Sequence, residues 1–433
     1  MFKHDFMGIN EKGHLTVGGC DTVDVCEKYG TPMYLMDEER IRDNMRSYKN
    51  AIDKYYGGKG LCLYASKAFS ALYIYKVAKE EGLGVDVVSG GELYTALKAG
   101  FDPSKIVFHG NNKSFDEIKM AVENRVGHII IDAKEEIEVI DSFSRENGVK
   151  TKVMIRVKPG VDAHTHEFIS TGQIDSKFGF AVENGEAFEI AKYALGFENI
   201  EITGLHCHVG SQIFLYEPFV LTAEIMMNFY TKLKNELGLS LCELNLGGGF
   251  GIKYTEQDSP VDYEGFIDSV SGVIHEICKE KNLEVPFIYM EPGRSIVGDA
   301  GITLYTAGGI KDIKDIRKYV SVDGGMGDNP RYILYGAAYD AVIANRAADK
   351  PTEKVTICGK CCESGDVIIE NAFMPEIKSG DKIAVMSTGA YNYSMASNYN
   401  RIPRPPVVMA KNGETKLIVK RESYEDIIKN DIL

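Results

Sequence analysis

The feature that most constrains this 433-residue chain is an alternation of short apolar runs with amphipathic segments between residues 61 and 290. Strand-length runs occur at 61–65, 84–88, 105–108, 128–131, 152–157, 201–206, 241–246 and 287–290. Helical patterns fill most of the intervals, for example 114–125, 134–147 and 218–237. Strands that alternate with helices form parallel sheets, and eight such units fit a closed (β/α)8 barrel. An open doubly wound sheet is the alternative.

The pattern differs on either side of this region. A helix is predicted over 37–56, with Asp37 as its N-cap and two glycines after it. After Gly293, short strand-like runs separated by Gly, Pro and Asp predict a mostly antiparallel β domain. These runs are 301–306, 319–322, 354–357, 366–369 and 382–386, and the run 33–36 is assigned to the same domain. The predicted fold is therefore α/β, with a TIM-like (β/α)8 barrel over 37–297 and a β domain formed by 1–36 and 298–433.

Charge and composition exclude several classes of protein. The chain has 49 Lys and Arg against 63 Asp and Glu, a net charge of −14, which argues against nucleic-acid and anionic-membrane partners. No apolar run reaches the roughly 18–20 residues of a membrane span, and the first residues lack the apolar segment of a secretory signal. Nine cysteines, an odd number, then indicate reduced thiols and a cytoplasmic location.

A lysine follows the first predicted barrel strand, in the sequence Tyr64-Ala65-Ser66-Lys67-Ala68. Barrels of this type carry their active sites at the carboxyl ends of the strands. A lysine amine there can form a Schiff base with a carbonyl compound when its surroundings lower its pKa. The alternative is an ordinary surface lysine.

Two glycine-containing loops follow the seventh and eighth predicted strands. Their sequences are NLGGGF from residue 245 and EPGR from residue 291. These loops are the usual phosphate site of the fold, because glycine lets backbone N–H groups approach the phosphate oxygens. Arg294 would add a charge-assisted hydrogen bond. Glu291 would repel a phosphate, so it indicates a ligand that also carries a cationic ring. A simple tight turn is the alternative for the glycines.

Two His-x-His pairs raise a different hypothesis. His206 and His208 end the sixth predicted strand, and His164 and His166 lie upstream. Such pairs can bind a metal that activates water, which would make the protein a metal hydrolase. The sequence shows no obvious carboxylate to complete the site. Alternatively, His208 stacks on a planar cofactor, or these histidines belong to the core.

The predicted β domain contains further polar motifs. The segment CGKCCESGD has one C-x-x-C, which is weak support for zinc, whereas Cys362 beside Glu363 fits a proton donor with a neighbouring carboxylate. A buried turn would explain the same segment. Arg331 offers a planar fork that matches a carboxylate, close to Tyr335 in sequence. Tyr391 lies in a second Gly- and Tyr-containing stretch. Each of these could also be an ordinary loop residue.

Taken in order, the motifs YASKA, HCHVGSQ, NLGGGFG, EPGR, DGGMGDNPR, CESGD and GAYNYSMASNYN resemble the fold-type III pyridoxal-phosphate decarboxylases. The resemblance is strongest to the members that act on diaminopimelate, and it runs from about residue 31 to residue 400. The segment 164–180 resembles the active-site loop of the family. The resemblance implies that the chain converts meso-diaminopimelate to L-lysine and CO2. It also implies pyridoxal 5'-phosphate as cofactor, no metal, and a homodimer with active sites at its interface.

The family also implies roles for cofactor-binding residues. Lys67 would hold the cofactor through a Schiff base, and Glu291 would pair with its ring nitrogen. His208 would stack on the ring. Asp86 and Glu92 match a stretch near the cofactor. The residues expected to bind its phosphate are Ser211, Gly248, Gly249 and Arg294, and Gly293 is expected to contact the cofactor.

For the substrate, the resemblance implies a set of residues that bind the end of the molecule that does not react. Arg294, Arg331 and Tyr335 would hold the distal carboxylate, and Glu363 the distal ammonium. Tyr391 would contact the cofactor and help to close the site. Cys362 would donate a proton to the product, and both Cys362 and Glu363 would come from the partner subunit.

Three other hypotheses remain at this stage. A relative with the same chemistry could act on a basic amino acid such as D-ornithine or D-lysine, on a polyamine precursor such as carboxynorspermidine, or on a substrate like that of alanine racemase. Arg331, Tyr335 and Glu363 argue against this, since a distal end with only an amine needs no arginine. The metal hydrolase leaves Lys67 and the glycine loops without a purpose. A non-enzymatic pyridoxal-phosphate-binding protein of this kind is typically a single barrel. One departure from the family is Lys360-Cys361, where a proline commonly lies two residues before the reactive cysteine.

Overall fold

The computed structural model describes residues 4–162, 176–259 and 262–433. The chain divides into two compact units. The barrel unit comprises Met45–Gly251 and Val261–Gly293, and the β unit comprises Met1–Asn44, Ile252–Pro260 and Arg294–Leu433. No helix among the described residues has both the length and the apolar character that crossing a membrane requires.

The barrel unit contains eight parallel strands within the described residues. In chain order they are β1 Gly60–Ala65, β2 Gly84–Val87, β3 Ile106–Phe108, β4 His128–Ile131, β5 Thr151–Lys158, β6 Ile200–His206, β7 Glu243–Asn245 and β8 Phe287–Met290. Each strand pairs with the next, and β8 pairs with β1 through Ile288 and Gly60, so the sheet closes on itself. The predicted closed barrel is confirmed, and the open doubly wound sheet is wrong.

The strands form where the sequence predicts them because both of their faces are buried. Every residue of β2, β3 and β4 is buried. Parallel strands covered on both faces are near-continuous apolar runs, which are the patterns visible in the sequence. Side chains from five strands fill one interior cluster, namely Leu63, Val107, Ile130, Met154 and Tyr289. A short strand, Phe180–Ala181, adds to β5 and was not predicted.

Helices follow the first seven barrel strands. In the described part of this unit they are Leu72–Glu80, Gly90–Lys98, Phe115–Glu123, Lys134–Glu146, Glu186–Ala194, Glu217–Leu237 and Tyr263–Glu280. The predicted helix before β1 spans Glu38–Tyr55. Its N-cap prediction is confirmed, because the backbone N–H of Arg40 donates to Oδ1 of Asp37 over 3.1 Å.

The β unit is built on a mixed sheet. Its described strands are Met33–Asp37, Gly301–Ile313, Arg317–Val322, Ala341–Ile343, Glu353–Cys358, Val367–Met374, Lys382–Val385, Val407–Lys411 and Glu414–Val419. Most pairings are antiparallel, and the predicted strands of this domain are confirmed. The fully buried strand Met33–Asp37 lies between Gly301–Ile313, which is antiparallel to it, and Val407–Lys411, which is parallel to it.

Shorter elements complete the β unit. Near the amino terminus, a small sheet of Gly8–Ile9, Leu15–Val17 and Cys20–Asp21 precedes helix Thr22–Tyr29. The other described α-helices of the unit are Arg294–Val297, Arg331–Tyr335 and Tyr424–Ile428. These short helices agree with the prediction that helices are rare after Gly293.

A largely buried contact between a histidine and a glutamate lies at the amino end of the barrel. Nε2 of His128, the first residue of β4, is 2.8 Å from Oε2 of Glu243, the first residue of β7. The Tyr289 hydroxyl donates to the other carboxylate oxygen over 2.8 Å. These three residues line part of a cavity of about 510 Å³. Burial opposes ionisation of Glu243, but the contacts with His128, Thr203 and Tyr289 together outweigh it and lower the pKa of this carboxyl to about 2.

Replacing Glu243 by glutamine is expected to lower the free energy of unfolding at pH 7 by about 3 kcal/mol, because the folded protein favours the ionised carboxylate and lowers its pKa to about 2. The native pKa of Glu243 is below the unfolded value of about 4.3, so its contribution is complete above that pH and is lost as the pH falls towards 2. Urea denaturation of both proteins between pH 3 and 7 should show the two curves converging at low pH. A difference at pH 7 below about 0.5 kcal/mol would contradict this expectation.

Candidate active site

Lys67 lies immediately after β1, in the single turn Ser66–Ala68, and its side chain is exposed. The buried side chain of Ser66 fixes this turn to the neighbouring strand and helix. Its Oγ lies 2.8 Å from both the main-chain oxygen of Asp86 and Oε2 of Glu92. These two residues belong to the end of β2 and the helix that follows it. The anchored turn therefore fixes where the Lys67 amine leaves the backbone.

The chain after β8 is pressed against the end of β1. The N–H of Ala65 donates to the main-chain oxygen of Pro292 over 3.1 Å. A Cβ atom at Gly293 would lie 2.9 Å from the main-chain oxygen of Ala65, so only glycine fits this approach. The loop that follows β8 thus runs directly beside the turn that carries Lys67.

Glu291 is the buried acid of this end of the barrel. Nδ2 of Asn245 donates to its Oε1 over 2.7 Å, and Nε2 of His206 is 3.3 Å from its Oε2. Nε2 of His109 lies 2.8 Å from Oε1, although its N–H is not aligned for a linear hydrogen bond. The same Nε2 atom of His109 is 3.7 Å from Oδ1 of Asp86. Nitrogen atoms of three side chains therefore surround the Glu291 carboxylate.

These contacts set the charges of the cluster. Burial alone would raise the pKa of Glu291, but His109 and His206 hold it well below the usual range. Burial lowers the pKa of His206 to about 4, so its imidazole is neutral at pH 7. Burial, reinforced by the nearby Glu291 charge, raises the pKa of Asp86 to about 6. Glu291 is therefore the stable anion of the cluster.

His208 packs against the glycine turn that follows β7. The N–H of Gly248 donates to its Nδ1 over 3.3 Å, and a Cβ atom at Gly248 would lie 2.1 Å from the main-chain oxygen of Glu291. Burial lowers the pKa of His208 well below its usual value, and the charge of Lys67 adds to this effect. The imidazole is therefore neutral, with Nδ1 as acceptor and the proton on Nε2.

The loop after β6 is joined to the same turn. The N–H of Ile213 donates to the main-chain oxygen of Gly249 over 3.0 Å, two residues after Ser211, whose side chain is exposed. Backbone groups of the two loops thus form one rim at the carboxyl end of the barrel, with room for a ligand that needs several N–H donors.

In the β unit, two arginines flank one tyrosine. The guanidinium carbons of Arg294 and Arg331 lie 4.9 and 5.2 Å from the ring centre of Tyr391. Arg331 also lies 5.2 Å from the ring of Tyr335, and Arg294 donates to the hydroxyl of Tyr254. The Nε of Arg331 is buried without a hydrogen-bond partner. The Nε–H of Arg331 could therefore bind an anion such as a carboxylate.

The segment with Cys362 and Glu363 forms an exposed turn of the β unit. Both side chains are exposed, and the N–H of Cys362 donates to Oδ1 of Asn400 over 2.7 Å. The turn is fixed by the buried Asp366, which accepts from the N–H of Cys361 over 2.7 Å. The thiol and the carboxylate are therefore presented on a fixed backbone. Their predicted roles stay predictions.

Comparison with known proteins decides the family. Residues 38–298 match the family described as pyridoxal-dependent decarboxylase, pyridoxal binding domain. The diaminopimelate decarboxylase of Bacillus methanolicus is 50% identical over 98% of both chains, and that of Bacillus subtilis (strain 168) is 49% identical over 100% of this chain and 98% of its own. The chain belongs to the diaminopimelate decarboxylase family. A crystal structure of the M. jannaschii diaminopimelate decarboxylase in co-complex with L-lysine has a TM-score of 0.94 and 36% identity, covering 100% and 99% of the two chains.

In this member of the diaminopimelate decarboxylase family, the predicted site residues fall into two groups. The carboxyl end of the barrel carries Lys67, Asp86, His208, Ser211, Gly248, Gly249, Glu291 and Gly293. The β unit carries Arg294, Arg331, Tyr335, Cys362, Glu363 and Tyr391. Their individual roles in binding and catalysis remain predictions.

Family membership replaces the metal-hydrolase hypothesis. His164 and His166 lie outside the described residues, and the predicted pair of His206 and His208 is engaged by different partners. One group among the described residues, His109 with His206 and Glu291, has ligand atoms within 4.8 Å of one another. Nε2 of each histidine already contacts the buried carboxylate of Glu291.

Sequence reasoning missed several members of the site. His109 and Asn245 contact Glu291, and Tyr254 and Tyr339 contribute to the Arg294 cluster, where their rings pack 5.5 Å apart. His109 could have been predicted, because it follows β3 directly. Active-site residues of such barrels lie at the carboxyl ends of the strands, and this applies to β3 as to the others. The two tyrosines belong to segments without a motif, so nothing in the sequence pointed to them.

Proposed function

We propose that this chain uses pyridoxal 5'-phosphate to decarboxylate meso-diaminopimelate, giving L-lysine and CO2. The observation that carries the proposal is a lysine at the end of β1 beside a buried, ionised carboxylate at the end of β8. A pyridoxal ring needs both an amine for its aldehyde and an anion for its ring nitrogen. The names of the relatives and of the lysine-bound structural neighbour support the substrate.

The residues at the barrel end fit such a cofactor. Oδ1 of Asp86 and Nδ1 of His206 are buried without hydrogen-bond partners, and backbone at Gly248 leaves no room for a side chain. An anion in a buried site is costly unless a cation or donors meet it, and Glu291 would meet the protonated ring nitrogen. When bound, pyridoxal phosphate supplies an electron sink for the pair of electrons left by the departing CO2.

Within this proposal the barrel residues bind the cofactor and fix its orientation. Lys67 holds the cofactor covalently through Nζ, and Glu291 keeps the ring nitrogen protonated. The neutral His208 imidazole packs on the ring without adding a positive charge. Backbone N–H groups at Gly248, Gly249 and Gly293, with the Ser211 hydroxyl and the Arg294 guanidinium, bind the phosphate.

The β-unit residues select the substrate. The spare donors of Arg331, supported by Tyr335 and Tyr391, hold the carboxylate at the end that does not react, together with Arg294. Glu363 pairs with the distal ammonium, and the Sγ of Cys362 donates a proton to the carbon that has lost CO2. A site built for both groups leaves buried donors unpaired when a substrate lacks the distal carboxylate, so lysine and ornithine are expected to be poor substrates.

The first test is a spectrum followed by an assay. Purified protein supplied with pyridoxal phosphate should show a visible absorption band, and addition of meso-diaminopimelate should release L-lysine and CO2. A band without lysine, but with turnover of D-ornithine, D-lysine or carboxynorspermidine, would move the activity to a relative with the same chemistry. Absence of a band would refute the cofactor assignment.

We also propose that the protein acts as a cytoplasmic homodimer whose sites are shared. In this proposal residues 37–297 bind the cofactor, while 1–36 and 298–433 contribute to the active site and to the dimer interface. The exposed thiol of Cys362 and carboxylate of Glu363 are available to the partner's site. The nine cysteines are all free, as in proteins of reducing compartments.

Mixed dimers test the shared site. Lys67→Ala and Cys362→Ala variants, each inactive alone, should regain about a quarter of normal activity when mixed and allowed to exchange, because half of the dimers then pair the two variants and each has one intact site. A control mixture of Lys67→Ala with a Lys67→Met variant should stay inactive. If the first mixture also stays inactive although size and exchange measurements show mixed dimers, Cys362 serves its own subunit.

A further inference from the structure

Glu291 is held by a buried network that the proposed chemistry does not yet use. The side chains that contact its carboxylate come from three strand ends, namely His109 after β3, His206 at the end of β6 and Asn245 at the end of β7. The exposed fractions of these side chains are 4%, 1% and 0%. Water therefore has little access with which to replace a lost donor, and each contact has to be made by the protein.

The network fixes the carboxylate from both sides. Oε1 faces His109 at 2.8 Å and Asn245 at 2.7 Å, whereas Oε2 faces His206 at 3.3 Å. The two imidazole rings lie 4.7 Å apart and are inclined by 69°, an edge-to-face arrangement that limits rotation of either ring. The Glu291 side chain consequently has little freedom to turn.

We propose that His109 and His206 are positioning residues that hold Glu291 as an oriented anion for the ring nitrogen of the cofactor. The inference rests on the function proposed above and adds two residues to it. It also explains why the two histidines and Asn245, which come from three strand ends, all contact Glu291. A carboxylate that binds a ligand usually requires partners that fix its direction.

Histidine suits this task better than a permanently charged side chain. An arginine would bind both oxygens of Glu291 with its fork and cancel the charge that the cofactor needs. His206, which is neutral at pH 7, donates a hydrogen without cancelling that charge. The other ionisable groups that face this cluster are Lys67, Asp86, Glu92, Arg156 and His208.

A cofactor analogue with carbon in place of the ring nitrogen isolates the contribution of the contact between Glu291 and that nitrogen. Protein freed of cofactor is titrated with pyridoxal phosphate and with 1-deazapyridoxal phosphate, and the visible or ultraviolet absorption reports binding. His109→Leu and His206→Leu should each weaken binding of pyridoxal phosphate about 10- to 100-fold, because each removes a polar contact, of 2.8 or 3.3 Å, with the charged Glu291 carboxylate. Binding of the analogue should change less than about threefold, since it makes no contact through a ring nitrogen.

Two further sets of variants separate positioning from folding. His109→Gln and His206→Gln keep an N–H donor of similar reach and should restore most of the preference for the nitrogen-containing ring. His128→Leu removes a His–Glu contact of the same 2.8 Å length at the amino end of the barrel, where the pair is partly buried. It should lower the melting temperature and leave that preference unchanged.

The outcomes are distinguishable. If the leucine variants bind both compounds as the unaltered protein does, or lose both equally, or if glutamine restores none of the preference, the positioning role is overturned. Where a leucine variant does not fold, His→Asn replaces it, because asparagine stays polar but its shorter side chain withdraws the donor. An unaltered protein that binds no pyridoxal phosphate would instead refute the proposed function itself.

Discussion

Replacing Lys67 by alanine is expected to abolish the visible band of the bound cofactor and to lower lysine formation roughly 10³-fold or more. The amine is the group that attaches the cofactor, and the anchored turn Ser66–Ala68 fixes the point at which it leaves the backbone. No other residue of the turn carries an amine. Absorption spectra and turnover with meso-diaminopimelate measure both effects.

A lysine at the other end of the same strand gives the matched control. Lys59 precedes β1, is exposed, and donates to the main-chain oxygen of Val285. Lys59→Ala removes the same side chain from the amino end of the barrel and should leave the band and the turnover within about twofold. A Lys67→Ala protein that keeps its band, or more than a tenth of its turnover, would remove Lys67 from the site.

Replacing Arg331 by alanine is expected to lower kcat/KM for meso-diaminopimelate about 100-fold or more, with little change in cofactor absorption. The buried Nε of this side chain has no hydrogen-bond partner, and its guanidinium packs on Tyr335 and Tyr391. Loss of one partner of a charge-assisted, buried contact costs several kcal/mol. Arg331→Lys keeps the charge but loses the planar fork, and should recover only part of the activity.

An arginine elsewhere in the β unit separates this effect from general destabilisation. Arg317 forms a 2.8 Å ion pair with Glu370, and both side chains are partly exposed. Arg317→Ala should change kcat/KM by less than about twofold, since such pairs contribute little. If Arg331→Ala loses less than threefold while its melting temperature is unchanged, the distal carboxylate is held by other groups.

The barrel could be predicted because its local patterns and its tertiary structure agree. The run His128–Ile131 is apolar and β-branched, and it is buried on both faces. The prediction was less complete for the β unit. Three of its strands were not predicted, namely Ala341–Ile343, Val407–Lys411 and Glu414–Val419. Only half of the residues of Glu414–Val419 are apolar and none is buried, so its strand conformation depends on pairing with Val407–Lys411 rather than on a strong pattern of its own.

For the candidate site, the sequence was informative where a motif and a strand end coincide. Lys67, Glu291 and His208 satisfy both conditions, and the family resemblance supplied their expected roles. His109 follows a strand of only three residues and belongs to no recognised motif. Contacts such as that of Asn245 with Glu291 join residues 46 positions apart, and only the closed barrel brings them together.

The central position of strand Met33–Asp37 has a consequence for synthesis on the ribosome. Its two neighbours, Gly301–Ile313 and Val407–Lys411, are translated more than 260 residues later, a delay on the order of ten to fifty seconds at about 5–20 residues per second. Throughout that time an apolar segment, all of whose residues are buried in the finished protein, has no partner strand. A nascent chain arrested after the barrel would therefore display this segment to chaperones and to other unfinished copies, and early termination should yield aggregates rather than an isolated working barrel.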